Sequence, residues 1–255
     1  MAEESLRGGI TNAGAVVRDG EHVLRPASAH VAAIHAFLRA IRDQGFTGAP
    51  LPIGIDPDGR ERLEFIPGDV PTSPYPAWAQ TDEALASVAA LLRRFHDASS
   101  AFTAEREGWN QVLADPDGGR AICHNDLELS NVVFRHGRAV ALIDFEFAAP
   151  GRAIYDVAQL ARLCVPIEHD VDRERMGWAE ADRPARLRLI ADAYGLDPST
   201  RPALVPAVDD ALRVIERAAR QRRTPVSEET GGLAKYDRRR SWWAEHRHRF
   251  VAALR

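Results

Sequence analysis

The sequence predicts an α+β protein of two lobes, a small β-rich lobe followed by a larger, mainly helical lobe. Short apolar stretches separated by turn residues fill the first part of the chain, which is typical of antiparallel hairpins. Four prolines, at positions 67, 71, 74 and 76, then interrupt it. Beyond them, apolar residues mostly recur at helical spacing. We therefore place the lobes at residues 1–70 and 71–255.

The N-terminal lobe contains two predicted hairpins and one helix. The pair Asp19-Gly20 marks the turn of the first hairpin, and an Asp-Pro-Asp-Gly run at residues 56–59 marks the turn of the second. Apolar residues at helical spacing predict the helix, and Gly45 closes it. The predicted strands are residues 15–17, 21–25, 51–55 and 62–66, and the predicted helix is residues 31–41.

The C-terminal lobe is helical except for one hairpin. Helices are predicted for residues 82–96, 156–163, 183–194, 206–220 and 241–254. Two short apolar stretches, residues 131–134 and 139–143, surround an Arg-His-Gly-Arg turn. This hairpin interrupts the helical pattern, so the residues before and after it are brought close together.

Composition excludes several classes of protein. A net charge of −4 argues against a general nucleic-acid binder, since such binding depends on excess positive charge. The Arg-rich residues 213–255 form either a solvated helical face or a binding patch. No apolar run approaches the roughly 20 residues of a membrane helix, and the N-terminus has no signal-peptide pattern. We expect a cytoplasmic protein with Cys123 and Cys164 as buried free thiols, and with neither nucleic acid nor membrane as partner.

One segment carries the pattern of a chemical site. His124, Asp126 and Asn131 stand in the run His-Asn-Asp-Leu-Glu-Leu-Ser-Asn, and Asp144 follows at the end of an apolar strand. Phosphoryl transfer needs a carboxylate near the acceptor hydroxyl and hard oxygen ligands for a metal on the phosphates. Because the intervening hairpin returns the chain beside its start, these oxygens are expected on one face. The alternative is that Asp126 and Asn131 cap a turn and Asp144 ends a strand.

The motifs resemble those of the aminoglycoside phosphotransferase and choline kinase-like superfamily. Three motifs carry the resemblance: residues 124–131, the Leu-Ile-Asp-Phe-Glu run at residues 142–146, and the Gly-Arg-Ala-Ile-Tyr-Asp-Val-Ala run at residues 151–158. It implies a two-lobed protein-kinase-like fold. It also implies transfer of a γ-phosphoryl group from ATP or GTP, with Mg²⁺, to a hydroxyl of a small molecule.

Carried over by position, the resemblance implies a role for each of four residues, and the sequence pattern itself suggests one for His124. Asp126 is the expected catalytic base, and Asn131 and Asp144 are the expected Mg²⁺ ligands. Asp156 is expected to brace the catalytic loop, although an ordinary helix N-cap is its structural alternative. His124 is expected to brace the loop through hydrogen bonds rather than to act as a catalyst.

The nucleotide side departs from the family pattern. No lysine precedes Lys235, so Arg25 occupies the position of the usual phosphate-pairing lysine. Residues 28–43 contain no glutamate to orient that cation; His30, His35 and Asp43 are the alternatives, and a neutral histidine could accept a hydrogen bond from Arg25. This departure keeps open a second function, a catalytically silent nucleotide- or ligand-binding protein.

Two further segments are expected at the nucleotide. The glycine-rich residues 8–14, with Gly9, Thr11 and Asn12, are placed to cover the phosphates with backbone N–H groups, or they form an ordinary turn. The backbone of Phe65 and Ile66, in the connection between the lobes, is expected to hold adenine.

The acceptor is left open among aminoglycoside-like compounds, amino alcohols and sugars. The acidic residues of segment 168–174 either receive a cationic acceptor or form an exposed polar loop. Trp178, Trp242 and Trp243 either line a ring-binding wall or pack into the core. The sequence does not set the oligomeric state.

Overall fold

A computed structural model describes residues 4–6, 15–105, 107–221 and 231–255. In these ranges the strands are β1 (Glu4–Ser5), β2 (Val17–Asp19), β3 (His22–Pro26), β4 (Pro52–Ile55), β5 (Arg60–Glu64), β6 (Ala121–Cys123), β7 (Val132–Arg135), β8 (Arg138–Leu142) and β9 (Ala149–Gly151). The helices are α1 (Val31–Asp43), α2 (Asp82–Ser99), α3 (Ala153–Cys164), α4 (Asp170–Arg175), α5 (Arg183–Tyr194), α6 (Leu204–Arg220) and α7 (Ala234–Ala253). The α+β architecture is confirmed, with a β-rich part followed by a mainly helical one.

The N-terminal sheet is antiparallel, with strand order β1-β2-β3-β5-β4. Both predicted hairpins are confirmed, as β2–β3 and β4–β5. Gly20, in the first turn, has φ of 61°, a conformation that glycine adopts without a steric penalty. The register of β3 and β5 places Arg25 directly opposite Glu61, which becomes important at the site.

Aromatic side chains join the two lobes. Phe37 of α1 packs edge-to-face on Phe95 of α2, with ring centroids 5.7 Å apart. Phe145, which follows β8, lies 5.8 Å from Phe95, and all three rings are buried. Edge-to-face pairs stabilise such clusters beyond their buried area. The residue before Phe145, Asp144, is therefore held where the lobes meet.

The structure extends the predicted elements in three places. The strands β6 and β9 form a two-stranded pair, but three residues are too few to show an alternating pattern. The short helix α4 was expected as part of a polar loop. The helix α7 begins at Ala234 rather than at residue 241, because its first turns are polar and lack the apolar periodicity on which the prediction relied.

The acidic segment 168–174 anchors α7 through ion pairs. Asp172 is fully buried and accepts two hydrogen bonds from Arg238, at 2.7 and 2.6 Å. Glu168 is buried and pairs with Arg239 at 3.2 Å. Of the four acidic residues in the segment, only Asp170 and Glu174 are exposed. The alternative of an exposed polar loop is therefore wrong for Glu168 and Asp172.

Remaining expectations about the core are confirmed. Trp178, Trp242 and Trp243 are mostly buried in the hydrophobic core, as expected for the packing alternative. Cys123 and Cys164 are buried free thiols. Among the described residues, no helix is both long and apolar enough to span a membrane.

Candidate active site

The loop between β6 and β7 is held at its start by one buried carboxylate. Asp156, in the first turn of α3, accepts hydrogen bonds from the backbone N–H groups of His124 (2.8 Å) and Asn125 (2.9 Å). His96 provides a third contact, with Nε2 3.1 Å from Asp156 Oδ2. Asp156 is not the N-cap, since Arg152 occupies that position, so the N-cap alternative is wrong. The carboxylate instead fixes the turn at Asn125, whose φ is 66°.

His124 connects this loop to the strand that precedes Asp144. Its Nε2 lies 2.9 Å from the carbonyl oxygen of Ile143, and its Nδ1 lies 3.3 Å from the N–H of Asp126. Because Nδ1 must accept from that N–H, the proton lies on Nε2 and is donated to the carbonyl. Burial lowers the pKa of His124, which favours this neutral form. Through these two hydrogen bonds, His124 holds the loop against Ile143, as expected for a structural role.

Asp126 and Asn131 contact each other at the mouth of the loop. Asn131 Nδ2 donates to both the carbonyl oxygen and Oδ2 of Asp126, each at 2.9 Å. Burial, with the nearby charge of Glu128, raises the pKa of Asp126 to about 7, although the charge of Arg162 opposes this. A carboxylate with a pKa near neutrality is suited to accept a proton from a hydroxyl group. The arrangement leaves Asn131 Oδ1 without a partner in the described part of the chain.

Asp144 occupies a strained position after β8. Its φ and ψ are 64° and 66°, the left-handed region that costs a non-glycine residue roughly 1–2 kcal/mol. Its Oδ1 accepts a hydrogen bond from Arg25 at 2.7 Å. The side chain is 30% exposed, and Oδ2 makes no contact with another described residue that would occupy it.

Asn131 and Asp144 supply amide and carboxylate oxygens of the kind that Mg²⁺ sites use. Such sites use one or two protein oxygens together with phosphate oxygens and water. Among the described residues, no three His, Cys, Asp or Glu side chains converge to hold an ion by themselves. A metal would therefore depend on these two oxygens and on the phosphates.

Arg25 has a carboxylate partner that the sequence interpretation did not find. Glu61, opposite Arg25 in the β3–β5 pair, forms an ion pair with its Nε. His35 of α1 lies on the far side, with Nε2 2.9 Å from Glu61 Oε2. The expectation that Arg25 lacks a glutamate is wrong, because the glutamate is on the neighbouring strand rather than on α1. His35 binds Glu61 and not Arg25.

We call the Arg25–Glu61 ion pair the clamp. Its electrostatic surroundings keep both groups ionised. Burial alone would raise the pKa of Glu61, but hydrogen bonds and charge from His35 and Arg25 lower it below its ordinary value. The two carboxylates, Glu61 and Asp144, outweigh the burial of Arg25 and raise the pKa of its guanidinium. Arg25 is therefore a fixed cation beside Asp144.

A cleft of about 100 Å³ opens beside the clamp. Its lining consists of Arg25, Pro26, Ala27, Ser28, Glu61 and Glu146. It lies between the N-terminal sheet and the segment that follows Asp144. Burial and the charge of Asp144 raise the pKa of Glu146, as expected where carboxylates face one another.

The remaining nucleotide-side residues are only partly described. Gly9, Thr11 and Asn12 lie outside the described residues. The N–H of Phe65 donates to the carbonyl oxygen of Glu21 at 2.8 Å, and the Arg18 guanidinium lies over the Phe65 ring at 4.0 Å. In the described part of the chain, the backbone of Ile66 forms no hydrogen bond, which leaves it available to a ligand.

Comparison with known proteins gives consistent results. A family model described as a phosphotransferase enzyme family (APH) matches residues 100–203, which include the loop, the hairpin and α3. The trifolitoxin immunity protein of Rhizobium leguminosarum bv. trifolii is 33% identical over 250 residues, covering 94% of each chain.

Solved structures share the fold at low sequence identity. A choline/ethanolamine kinase family protein from Mesorhizobium loti is 17% identical, with a TM-score of 0.63 over 100% of this chain and 92% of the other. An amicoumacin kinase is 13% identical, with a TM-score of 0.64 over 90% and 84%. An aminoglycoside 2'-phosphotransferase-IIIa is 15% identical, with a TM-score of 0.54 over 100% and 92%. The protein-kinase-like fold is thereby confirmed.

Proposed function

Because this chain belongs to the phosphotransferase enzyme family of the aminoglycoside phosphotransferase and choline kinase-like superfamily, we propose that it transfers a nucleotide γ-phosphoryl group to a hydroxyl of a small molecule. One observation carries this proposal. Asp126, with a pKa raised to about 7, contacts Asn131 on a loop that His124 joins to the residue before Asp144. A base and two metal-ligating oxygens are thus held by one rigid unit.

Each group has a defined part in the reaction. The acceptor hydroxyl oxygen forms a bond with the γ-phosphorus while the bond to the β,γ-bridging oxygen breaks, and the nucleoside diphosphate leaves. Asp126 orients the hydroxyl and takes its proton. Arg25 contacts the phosphates, and Asn131 with Asp144 would hold Mg²⁺, which neutralises phosphate charge when bound.

The two lobes divide these tasks. Residues 1–70 bind the nucleotide, which is ATP or GTP, with Gly9, Thr11 and Asn12 near the phosphates and with Phe65 and Ile66 near the base. Residues 71–255 supply the catalytic loop and the acceptor site. The free backbone of Ile66 and the cleft beside Arg25 support this division.

A transfer assay tests the proposal directly. The purified chain is incubated with labelled ATP or GTP and Mg²⁺ against aminoglycosides, amino alcohols, sugars, nucleosides and hydroxylated acids. We expect label on one acceptor class, and EDTA should abolish the transfer. An absence of Mg²⁺-dependent nucleotide binding would contradict the enzyme and leave the catalytically silent alternative.

A second candidate function, protection against a toxin, is favoured by one observation. The relative that matches along 94% of both chains is named an immunity protein. A phosphotransferase would protect a cell by phosphorylating a hydroxyl of the toxin. In a bacterium that is sensitive to trifolitoxin, expression of this chain should raise the trifolitoxin concentration that stops growth. Expression of the Asp126→Asn variant should not. Equal protection by both would indicate protection by binding.

The Arg25 clamp gives a prediction on nucleotide affinity. Glu61→Gln removes the charge that orients Arg25, and a charge-assisted hydrogen bond contributes about 1.5–3 kcal/mol. We expect the Kd of the Mg-nucleotide to rise roughly ten- to hundredfold, as measured by titration calorimetry. Glu64→Gln, on the same strand and paired with Arg42, is the matched control and should bind normally. Equal Kd values for the two variants would contradict the clamp.

A further inference from the structure

The described part of the helical lobe contains a buried cation, Arg162, that forms no ion pair there. Arg162 of α3 is only 8% exposed. Its Nε donates to Gln159 Oε1 at 2.8 Å, and in the described part of the chain its two terminal nitrogens have neither a hydrogen bond nor an ion pair. A buried guanidinium normally has a carboxylate partner, because burial of an unpaired charge is strongly unfavourable.

Arg162 lies beside the catalytic loop. The helix α3 runs along that loop, since Asp156 near its start binds the N–H groups of residues 124 and 125. Near its end, Cys164 donates to the carbonyl oxygen of Leu127 at 3.3 Å. The charge of Arg162 is close enough to act on the pKa of Asp126, yet the two side chains form no ion pair. The guanidinium therefore lies near the carboxylate without direct contact.

Further cations stand behind Arg162. Arg239 of α7 is buried, pairs with Glu168 at 3.2 Å and lies 4.7 Å over the Tyr236 ring. Its charge and that of Lys235 act on Arg162, and Asp126 and Glu168 are the carboxylates that oppose them. The remaining buried carboxylate of the acidic segment, Asp172, is occupied by Arg238.

The nearest acid on the other side of Asp126 is already engaged. Glu128 accepts a hydrogen bond from the Tyr75 hydroxyl at 2.7 Å through Oε1, and one from the Ser130 hydroxyl at 3.3 Å through Oε2. In segment 168–174, Glu168 Oε2 is buried and forms no hydrogen bond, but the same carboxylate already pairs with Arg239. Among the described residues here, Arg162 is the buried ion that forms no ion pair.

We propose that the phosphoryl acceptor carries an anionic group, a carboxylate or a phosphate, which binds Arg162 while the acceptor hydroxyl faces Asp126. The inference rests on the proposed function and names the substrate class of that site. The guanidinium fork binds carboxylate or phosphate oxygens in pairs. Hydroxylated acids and sugar phosphates are the two sources of such an anion.

Ligand binding to matched probes tests this assignment. The affinities of glycerate and glycerol 3-phosphate are compared with those of uncharged glycerol and cationic choline, with and without a Mg-nucleotide analogue. We expect at least one anion to bind roughly tenfold or more tightly than glycerol, and the better anion identifies the source. Binding of glycerol or choline as tight as that of both anions, or no preference among the probes, would overturn the proposal.

Two substitutions of Arg162 and one control test whether Arg162 binds the anion or has only a structural role. Arg162→Met should lose the anion preference and keep or raise the unfolding temperature, because it removes an uncompensated buried charge. Arg162→Lys should retain part of the preference. Arg173→Met is the matched control, since Arg173 is equally buried at 8% but bonds to the carbonyl oxygen of Trp178 and to Glu174. It should lose stability and keep the preference.

The outcomes distinguish this proposal from the proposed function. If Arg162→Met loses stability as Arg173→Met does and keeps the anion preference, Arg162 is structural and the proposal is wrong. Failure of the wild-type chain to bind a Mg-nucleotide contradicts the phosphotransferase. The anion preference is measured without nucleotide as well, so it stands or fails separately.

Discussion

Asp126→Asn is expected to lower turnover by about 10²- to 10⁴-fold, the usual contribution of a general base. Asparagine keeps the oxygen that accepts from Asn131 Nδ2 but cannot take a proton from the acceptor hydroxyl. Asn131, Asp144 and the Arg25–Glu61 pair, the proposed metal and nucleotide contacts, are unchanged, so the Kd of the Mg-nucleotide should stay within about twofold. Single-turnover transfer and titration calorimetry measure the two effects.

Glu128→Gln is the matched control for the loss of Asp126. Both changes remove one negative charge from the loop, and Glu128 already bonds to Tyr75 and Ser130. If charge alone mattered, the two variants would lose turnover equally. A much larger loss for Asp126→Asn assigns proton transfer to Asp126, and an equal loss argues against it.

Asp156→Ala is expected to lower the free energy of unfolding by about 3–5 kcal/mol, the typical cost of removing one member of a buried polar network. The substitution leaves the N–H groups of His124 and Asn125 unpaired, together with His96. Each unsatisfied buried group costs roughly 1–3 kcal/mol. Urea unfolding measures the loss, and transfer by the folded fraction should fall with it.

Asp115→Ala is the control that tests whether transfer falls because of lower stability in general or because the catalytic loop itself is disrupted. Asp115 is also buried and accepts hydrogen bonds from the backbone N–H and the side chain of Arg152, the N-cap residue of α3, but it forms no hydrogen bond with residues 124–131. We expect it to unfold more easily but to keep its turnover per folded molecule. A change of less than about 1 kcal/mol for Asp156→Ala would contradict the network.

The sequence predicts that Asp126, Asn131 and Asp144 come together because the information for this is local. Asp126 and Asn131 are five residues apart, and one hairpin separates them from Asp144, so spacing and turn chemistry suffice to place them. The buried faces of α1, α2 and α6 follow from apolar periodicity in the same way. The fold class follows from these elements and their order.

What the sequence analysis missed depends on pairing between distant segments. Glu61 faces Arg25 only because β3 and β5 are in register, and the search for a partner was limited to α1. The predicted strand began at residue 62, so it did not include Glu61, which belongs to β5 in the structure. Arg162 was missed because only the packed structure shows that it has no carboxylate partner among the described residues. The start of α7 depends on ion pairs with Glu168 and Asp172.

The position of Glu61 has a consequence for regulation. In protein kinases the corresponding glutamate is on a helix, and displacement of that helix breaks the ion pair and silences the enzyme. Here both charged partners are on hydrogen-bonded neighbouring strands, and α1 contributes only His35. Movement of α1 would leave the ion pair intact. A displacement of α1 would remove the hydrogen bond between His35 and Glu61, but strand pairing would still hold Glu61 opposite Arg25.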